Sequence, residues 1–207
     1  YFRCGTAFQH PAASIEVNAA VLWARLLARH IQALSQEVVT IGSSSGGHLA
    51  LLAALTPYAE EEHGTEIWAK DEWTSPQSID GSVPAVGAFW APVDPAARFM
   101  YAKSLDNQLG RRLMTNSIAY FESEEAMGEA SISRVVSEET TARLPRIWFA
   151  QAGNDQNVPA EIVQNLEQAY RTAGGVFEIT TYPGSPHGFV HAGGEASQKF
   201  IRDLVSW

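Results

Sequence analysis

Cysteine is almost missing: Cys4 stands alone in 207 residues, which excludes an internal disulfide framework and any Cys-rich zinc site. Positive charge is scarce too. Lys and Arg number 14 against 23 Asp and Glu, a net charge of −9. With no basic stripe to offset it, that balance argues against nucleic acid or anionic lipid as the main partner. Long apolar runs are also lacking, and the richest, Leu49 to Leu55, is far too short to span a membrane. The chain opens Tyr1-Phe2-Arg3-Cys4-Gly5, without Met or a signal peptide, so more sequence is expected ahead of residue 1 in the parent protein. Localisation cannot be read from such a start, although one cysteine and no visible signal peptide lean toward the cytoplasm.

What is present describes a packed globular protein. Hydrophobic residues make up 45% and charged residues 18%, and this length buries a core without staples. A helix is predicted from an N-cap at Ser14, with Glu16 in its first turn and apolar residues at Val17, Ala20, Val21, Ala24, Ala28, Ile31 and Leu34. A strand over Val38 to Ile41, ended by Gly42, leads to a helix of small residues that stops at Pro57. The acidic stretch 57 to 80, with Trp68 and Trp73, reads as a solvated surface loop with some helix. Further strands are predicted at Val83 to Trp90, Ile147 to Ala150 and Val176 to Tyr182. Helical pieces fill 94 to 144, Pro159 opens a helix closed by Gly174-Gly175, and a last helix runs from Glu195 to Trp207. This alternation implies an α/β fold: a mostly parallel sheet with helices on both faces, in a single domain over 1–207 with a helical excursion at 94–144.

Gly42-Ser43-Ser44-Ser45-Gly46 matches G-x-S-x-G and has the required setting, a strand before and a helix after. A serine on such a sharp turn needs tiny neighbours two positions away, and the turn lifts the Ser44 hydroxyl onto a helix N-terminus. There free N–H groups and the dipole favour negative charge, and the Ser45 N–H is a candidate donor to an oxyanion. A plain Gly/Ser turn or a phosphate cradle is the competing reading, but a phosphate loop normally carries a Lys or a G-x-G-x-x-G. The serine needs a base, and the base an orienting acid. Asp155 follows one predicted strand and His187 another, so parallel strands would bring Ser44, Asp155 and His187 to one sheet edge. Asp94, in Ala91-Pro92-Val93-Asp94-Pro95, competes for the acid role, and its bland reading is a turn or cap residue.

The stretch GSSSGGHLALLAAL resembles the nucleophile elbow of α/β-hydrolase carboxylesterases near the hormone-sensitive-lipase and acetyl-esterase branch. LPRIWFAQAGNDQNVP and YPGSPHGF resemble that family's acid and base loops, in the family's order. The resemblance implies a serine esterase for short-chain carboxylic esters, with Ser44 the nucleophile, Asp155 the acid and His187 the general base. It implies no metal or organic cofactor, and a small-molecule ester as the partner. The same machinery on an arylformamide, a peptide or a lactone stays open, as does a catalytically silent binding protein. One feature departs from the pattern: no His-Gly-Gly-Gly loop precedes Ser44, and losing one oxyanion donor costs about 10²–10³ in rate. By resemblance Tyr1 to Pro11 corresponds to the end of the fourth strand and its loop, and the elements that follow to strands five to eight of eight. A fragment, a truncated gene model or one half of a complex is therefore expected, with an exposed edge and apolar face.

Other chemistry-bearing residues have plainer readings. His48 reads as a packed, hydrogen-bonded neighbour of the site. His191, four after His187, could pair with it for metal on a helix, but the surrounding Pro and Gly argue for a loop and no third ligand is in view. His10, His30 and His63 read as structural or exposed, and Cys4 as a small buried hydrophobe. Trp148 reads as core, whereas Trp90 is the candidate to line a pocket. The last strand, Val176 to Tyr182, is a candidate homodimer edge.

Overall fold

The computed structural model describes residues 8–57, 80–138 and 144–207. Cys4, His63, Trp68 and Trp73 lie outside them, as does nearly all of the predicted 57–80 loop. Helix α1 spans Ala12–His30 and begins two residues before the expected cap. Ser14 lies inside it, its hydroxyl bonding back to the Pro11 carbonyl at 2.7 Å, so Glu16 falls beyond the first turn.

Strand β1 is Thr40–Ser43, displaced from the predicted Val38 to Ile41. Gly42 does not end it but pairs with Ala88. A ladder is fixed by what lies alongside, and the β-branched run alone did not reveal that partner. Helix α2, Ser45–Leu55, is buried from Gly47 to Leu55, as expected of a helix apolar on every side. Strand β2 is Ala85–Phe89. The predicted excursion is four helices, α3 Pro95–Ser104, α4 Gln108–Phe121, α5 Glu124–Glu129 and α6 Ile132–Glu138. Strand β3 (Arg146–Ala152), α7 (Ala160–Thr172), β4 (Phe177–Tyr182) and α8 (Glu195–Ser206) complete the order, with a short 3-10 turn at Phe189–Ala192.

The four strands form one sheet in the order β1-β2-β3-β4, every neighbouring pair parallel. Alternate residues face opposite layers. Val86, Ala88, Ile147, Phe149 and Phe177 pack with Val21 of α1, Leu51 and Leu55 of α2, Ile132 of α6 and Leu166 of α7. On the other face Phe89, Trp148, Ala150 and Tyr182 meet Phe189 of the 3-10 turn and Phe200 of α8. The sheet is thus covered from both sides, the arrangement a parallel sheet requires. β1 and β4 are its edges, and beside the β1 edge Val39 is 52% and Ile41 56% exposed. Because all strands run the same way, Ser43, Phe89, Ala152 and Tyr182 end on one side of the sheet.

Candidate active site

Ser44 connects β1 to α2. Its φ of 51° and ψ of −127° lie where L-residues are strained, at a cost of order 1–3 kcal/mol. The turn is held from both sides: the Ser44 N–H bonds the Phe89 carbonyl at 2.8 Å, and the Ser44 carbonyl accepts from the Gly47 N–H at 3.0 Å. A Cβ on Gly42 would lie 2.3 Å from the Gly46 carbonyl oxygen, so that position must be glycine. The expectation that Gly46 is small for the same reason is corrected, since a Cβ there meets nothing within 4 Å. The constrained partner is Gly47, whose added Cβ would sit 2.8 Å from both the Gly42 oxygen and Ala91 Cβ. The Gly46-Gly47 doublet was the only sequence signal for it.

Ser44 Oγ lies 2.9 Å from His187 Nε2, and His187 Nδ1 lies 2.8 Å from Asp155 Oδ2. His187 sits on the loop after β4 and Asp155 on the loop after β3, where the sequence placed them. The Asp155 side chain is 1% exposed and that of His187 21%. Asp155 is buried yet satisfied, its Oδ1 accepting from the N–H groups of Asn157 at 2.7 Å and Val158 at 3.0 Å. Charge on a buried carboxylate is tolerated when such bonds are made. With Nδ1–H donating to the carboxylate, Nε2 is left as an acceptor for the serine hydroxyl. Ser45 opens α2, where the first N–H groups have no acceptor within the helix.

The competing residues fall elsewhere. Asp94 caps α3, its Oδ1 accepting from the Ala97 N–H at 2.9 Å, the capping role its setting allowed. His48 is buried and donates from Nε2 to the Ala130 carbonyl at 2.7 Å. Burial lowers its pKa to about 4, outweighing the backbone bond. Trp90 is not a pocket wall: it is 3% exposed, with its ring 5.1 Å from Phe189 and 5.5 Å from Phe200. The aromatic layer brought in by α8 could not be read from its position at a strand end. Trp148 is core as expected, its Nε1 donating to Thr180 Oγ1 at 2.9 Å. His191 lies in the 3-10 turn, and no group of three metal-ligating side chains gathers among the described residues.

The BD-FAE family model matches residues 1–170. The chain belongs to the BD-FAE family. This match takes in Ser44 and Asp155, and His187 lies beyond it. No curated protein matches the chain. Among solved structures, it resembles the propionate-bound esterase Est2 of Thermogutta terrifontis, with a TM-score of 0.67 and 21% identity over 97% of this chain and 65% of that one. The same esterase phosphorylated by paraoxon aligns with a TM-score of 0.65 and 20% identity, over 98% of this chain and 63% of the other. The acetyl ester-xyloside bifunctional hydrolase of Caldicellulosiruptor lactoaceticus gives 0.72 at 15% identity, over 100% of this chain and 68% of its own. The fold of this BD-FAE chain is thus that of the α/β-hydrolases. It spans less than two thirds of the length of the Thermogutta esterase. Among the described residues, no helix is long and apolar enough to cross a membrane.

Proposed function

We propose that this BD-FAE chain is a serine esterase that hydrolyses carboxylic esters carrying short acyl groups. The observation that carries the reading is the hydrogen-bonded line from Ser44 Oγ through His187 to Asp155, at 2.9 and 2.8 Å. His187 Nε2 takes the Ser44 proton as Oγ attacks the ester carbonyl, and Asp155 steadies the imidazolium that forms. The Ser45 N–H donates to the oxyanion of the tetrahedral intermediate. His187 returns its proton to the departing alcohol, leaving acyl-Ser44. Water then attacks that ester with His187 again as base, releasing the carboxylic acid and restoring Ser44. The family supports this reading, as do neighbours holding propionate and butyrate, which favour short acyl groups. No metal or organic cofactor is required, and 1–207 is read as one α/β-hydrolase domain that lacks the N-terminal part of the fold.

The test combines a fluorophosphonate probe, read by intact mass and peptide mapping, with turnover of 4-nitrophenyl acetate. One adduct on Ser44, and loss of both adduct and turnover in Ser44→Ala, is expected. Turnover retained by Ser44→Ala overturns the assignment. Asp155→Asn is expected to lower kcat by on the order of 10⁴, the loss seen when the histidine is left in the wrong tautomer. Asp94→Asn, which keeps a good cap, should change it little. The reverse ranking would mean that Asp94 is the acid.

A further inference from the structure

The acid loop is gripped from outside in a way that leads directly to the carboxylate. The two N–H groups that hold Asp155 Oδ1 belong to Asn157 and Val158. Each shares a planar peptide unit with the preceding carbonyl, so the Asn157 N–H is paired with the Gln156 carbonyl and the Val158 N–H with the Asn157 carbonyl. Both carbonyls accept a bond from α3. Tyr101 Oη donates to the Gln156 carbonyl at 3.1 Å, and Arg98 Nε donates to the Asn157 carbonyl at 3.0 Å. Three apart on one helix, these side chains share a face, and that helix is fixed at the end of β2 by the Asp94 cap.

We propose that Arg98 and Tyr101 are positioning residues that orient Asp155 through these two peptide groups. This inference rests on the esterase reading above. Donation to a carbonyl polarises the amide and strengthens its N–H as a donor, by about 10–30% per bond. With Oδ1 occupied by the loop, Oδ2 is left for His187 Nδ1. Arg98 also contributes charge. Burial pushes its guanidinium down from the ordinary value and the attraction of Asp155 opposes this, with Arg112 of α4 adding repulsion. Arg98 also acts electrostatically on His48, as do Asp94 and His10.

The experiment follows 4-nitrophenyl acetate hydrolysis against pH, alongside the proton NMR signal of His187 Nδ1–H, in Tyr101→Phe, Arg98→Met and Arg98→Lys. Each is also made in an Asp155→Asn background. Expected losses in kcat are about threefold for Tyr101→Phe and about tenfold for Arg98→Met, typical of one neutral and one charge-assisted bond. KM should be unchanged, and the His187 signal should shift in both variants. Arg98→Lys should restore much of the lost kcat and return the His187 signal toward the parent position. In the Asp155→Asn background neither substitution should lower kcat further, since the carboxylate they act on is gone. Equal losses there, or unchanged kcat and an unchanged His187 signal in variants that unfold at the parent temperature, would overturn the proposal. Should Arg98→Met not fold, Tyr101→Phe, which removes a single hydroxyl, decides the matter. Were the parent chain to hydrolyse nothing, the esterase reading would fail while the NMR signal still tested the positioning.

Discussion

At the scale of single residues, the site depends on atoms that are missing as much as on those present. Gly42 and Gly47 let β1 and α2 approach closely enough to hold Ser44 at positive φ, whereas Gly46 is unconfined. Gly47→Ala should therefore destabilise the chain by about 1–3 kcal/mol, the usual cost of forcing a methyl into a closed space. Gly46→Ala should leave the unfolding free energy measured in urea within about 0.5 kcal/mol of the parent, as for a residue with no packing role. Equal effects would show that the turn relaxes around either methyl. The residues of the hydrogen-bonded line were legible in the sequence because each lies in a short segment with its own signature. Gly47 was less so, because its constraint comes partly from Ala91, 44 positions away. Arg98 and Tyr101 carried no sequence signal at all, since their partners lie 59 and 55 residues distant and come within reach only through the placement of α3.

Among the elements, α8 contributes more than cover for the sheet. Phe200 stacks on Trp148 with centroids 5.8 Å apart and meets Phe89 edge-on at 4.8 Å. Ser197 Oγ shares its one proton between the Gly193 carbonyl at 2.9 Å and the Phe189 carbonyl at 3.1 Å, tying α8 to the segment that follows His187. Phe200→Ala should cost about 3–5 kcal/mol in chemical denaturation, the range for deleting a buried ring. It should also lower kcat, because the His187 loop loses its backing. A loss below 1 kcal/mol would mean the aromatic layer closes over the gap. The elements themselves were largely visible in apolar periodicity and in glycine and proline punctuation. Their edges were not: β1 moved by two residues and α1 began early, because ladder partners and back-bonded serines are tertiary facts.

For the whole molecule, pH dependence of stability follows from His48. Its folded pKa of about 4 lies below the ordinary 6.5, so the unfolded chain binds a proton that the native chain refuses. The stabilisation is fully present above pH 6.5 and is lost as pH falls toward 4, with a slope of up to about 1.4 kcal/mol per unit. Urea unfolding at pH 7.5 and pH 5 should differ accordingly, and His48→Gln, which keeps a donor for Ala130, should flatten the difference by that share. An unchanged slope would place the titration elsewhere. The fold class was readable at this scale because strands and helices alternate. The layer that buries Trp90 was not, because Phe200 joins it only at the far end of the chain.

Ser44 and His187 are 143 positions apart, and this separation orders events during translation. A ribosome delivers the serine 143 residues ahead of the histidine. Until β4 docks beside β3 the hydroxyl has no proton acceptor and is an ordinary alcohol. On the esterase reading proposed above, the nascent polypeptide is silent toward esters until β4 and the His187 loop are in place. Nascent chains stalled at successive lengths should take up a fluorophosphonate only once His187 has cleared the exit tunnel.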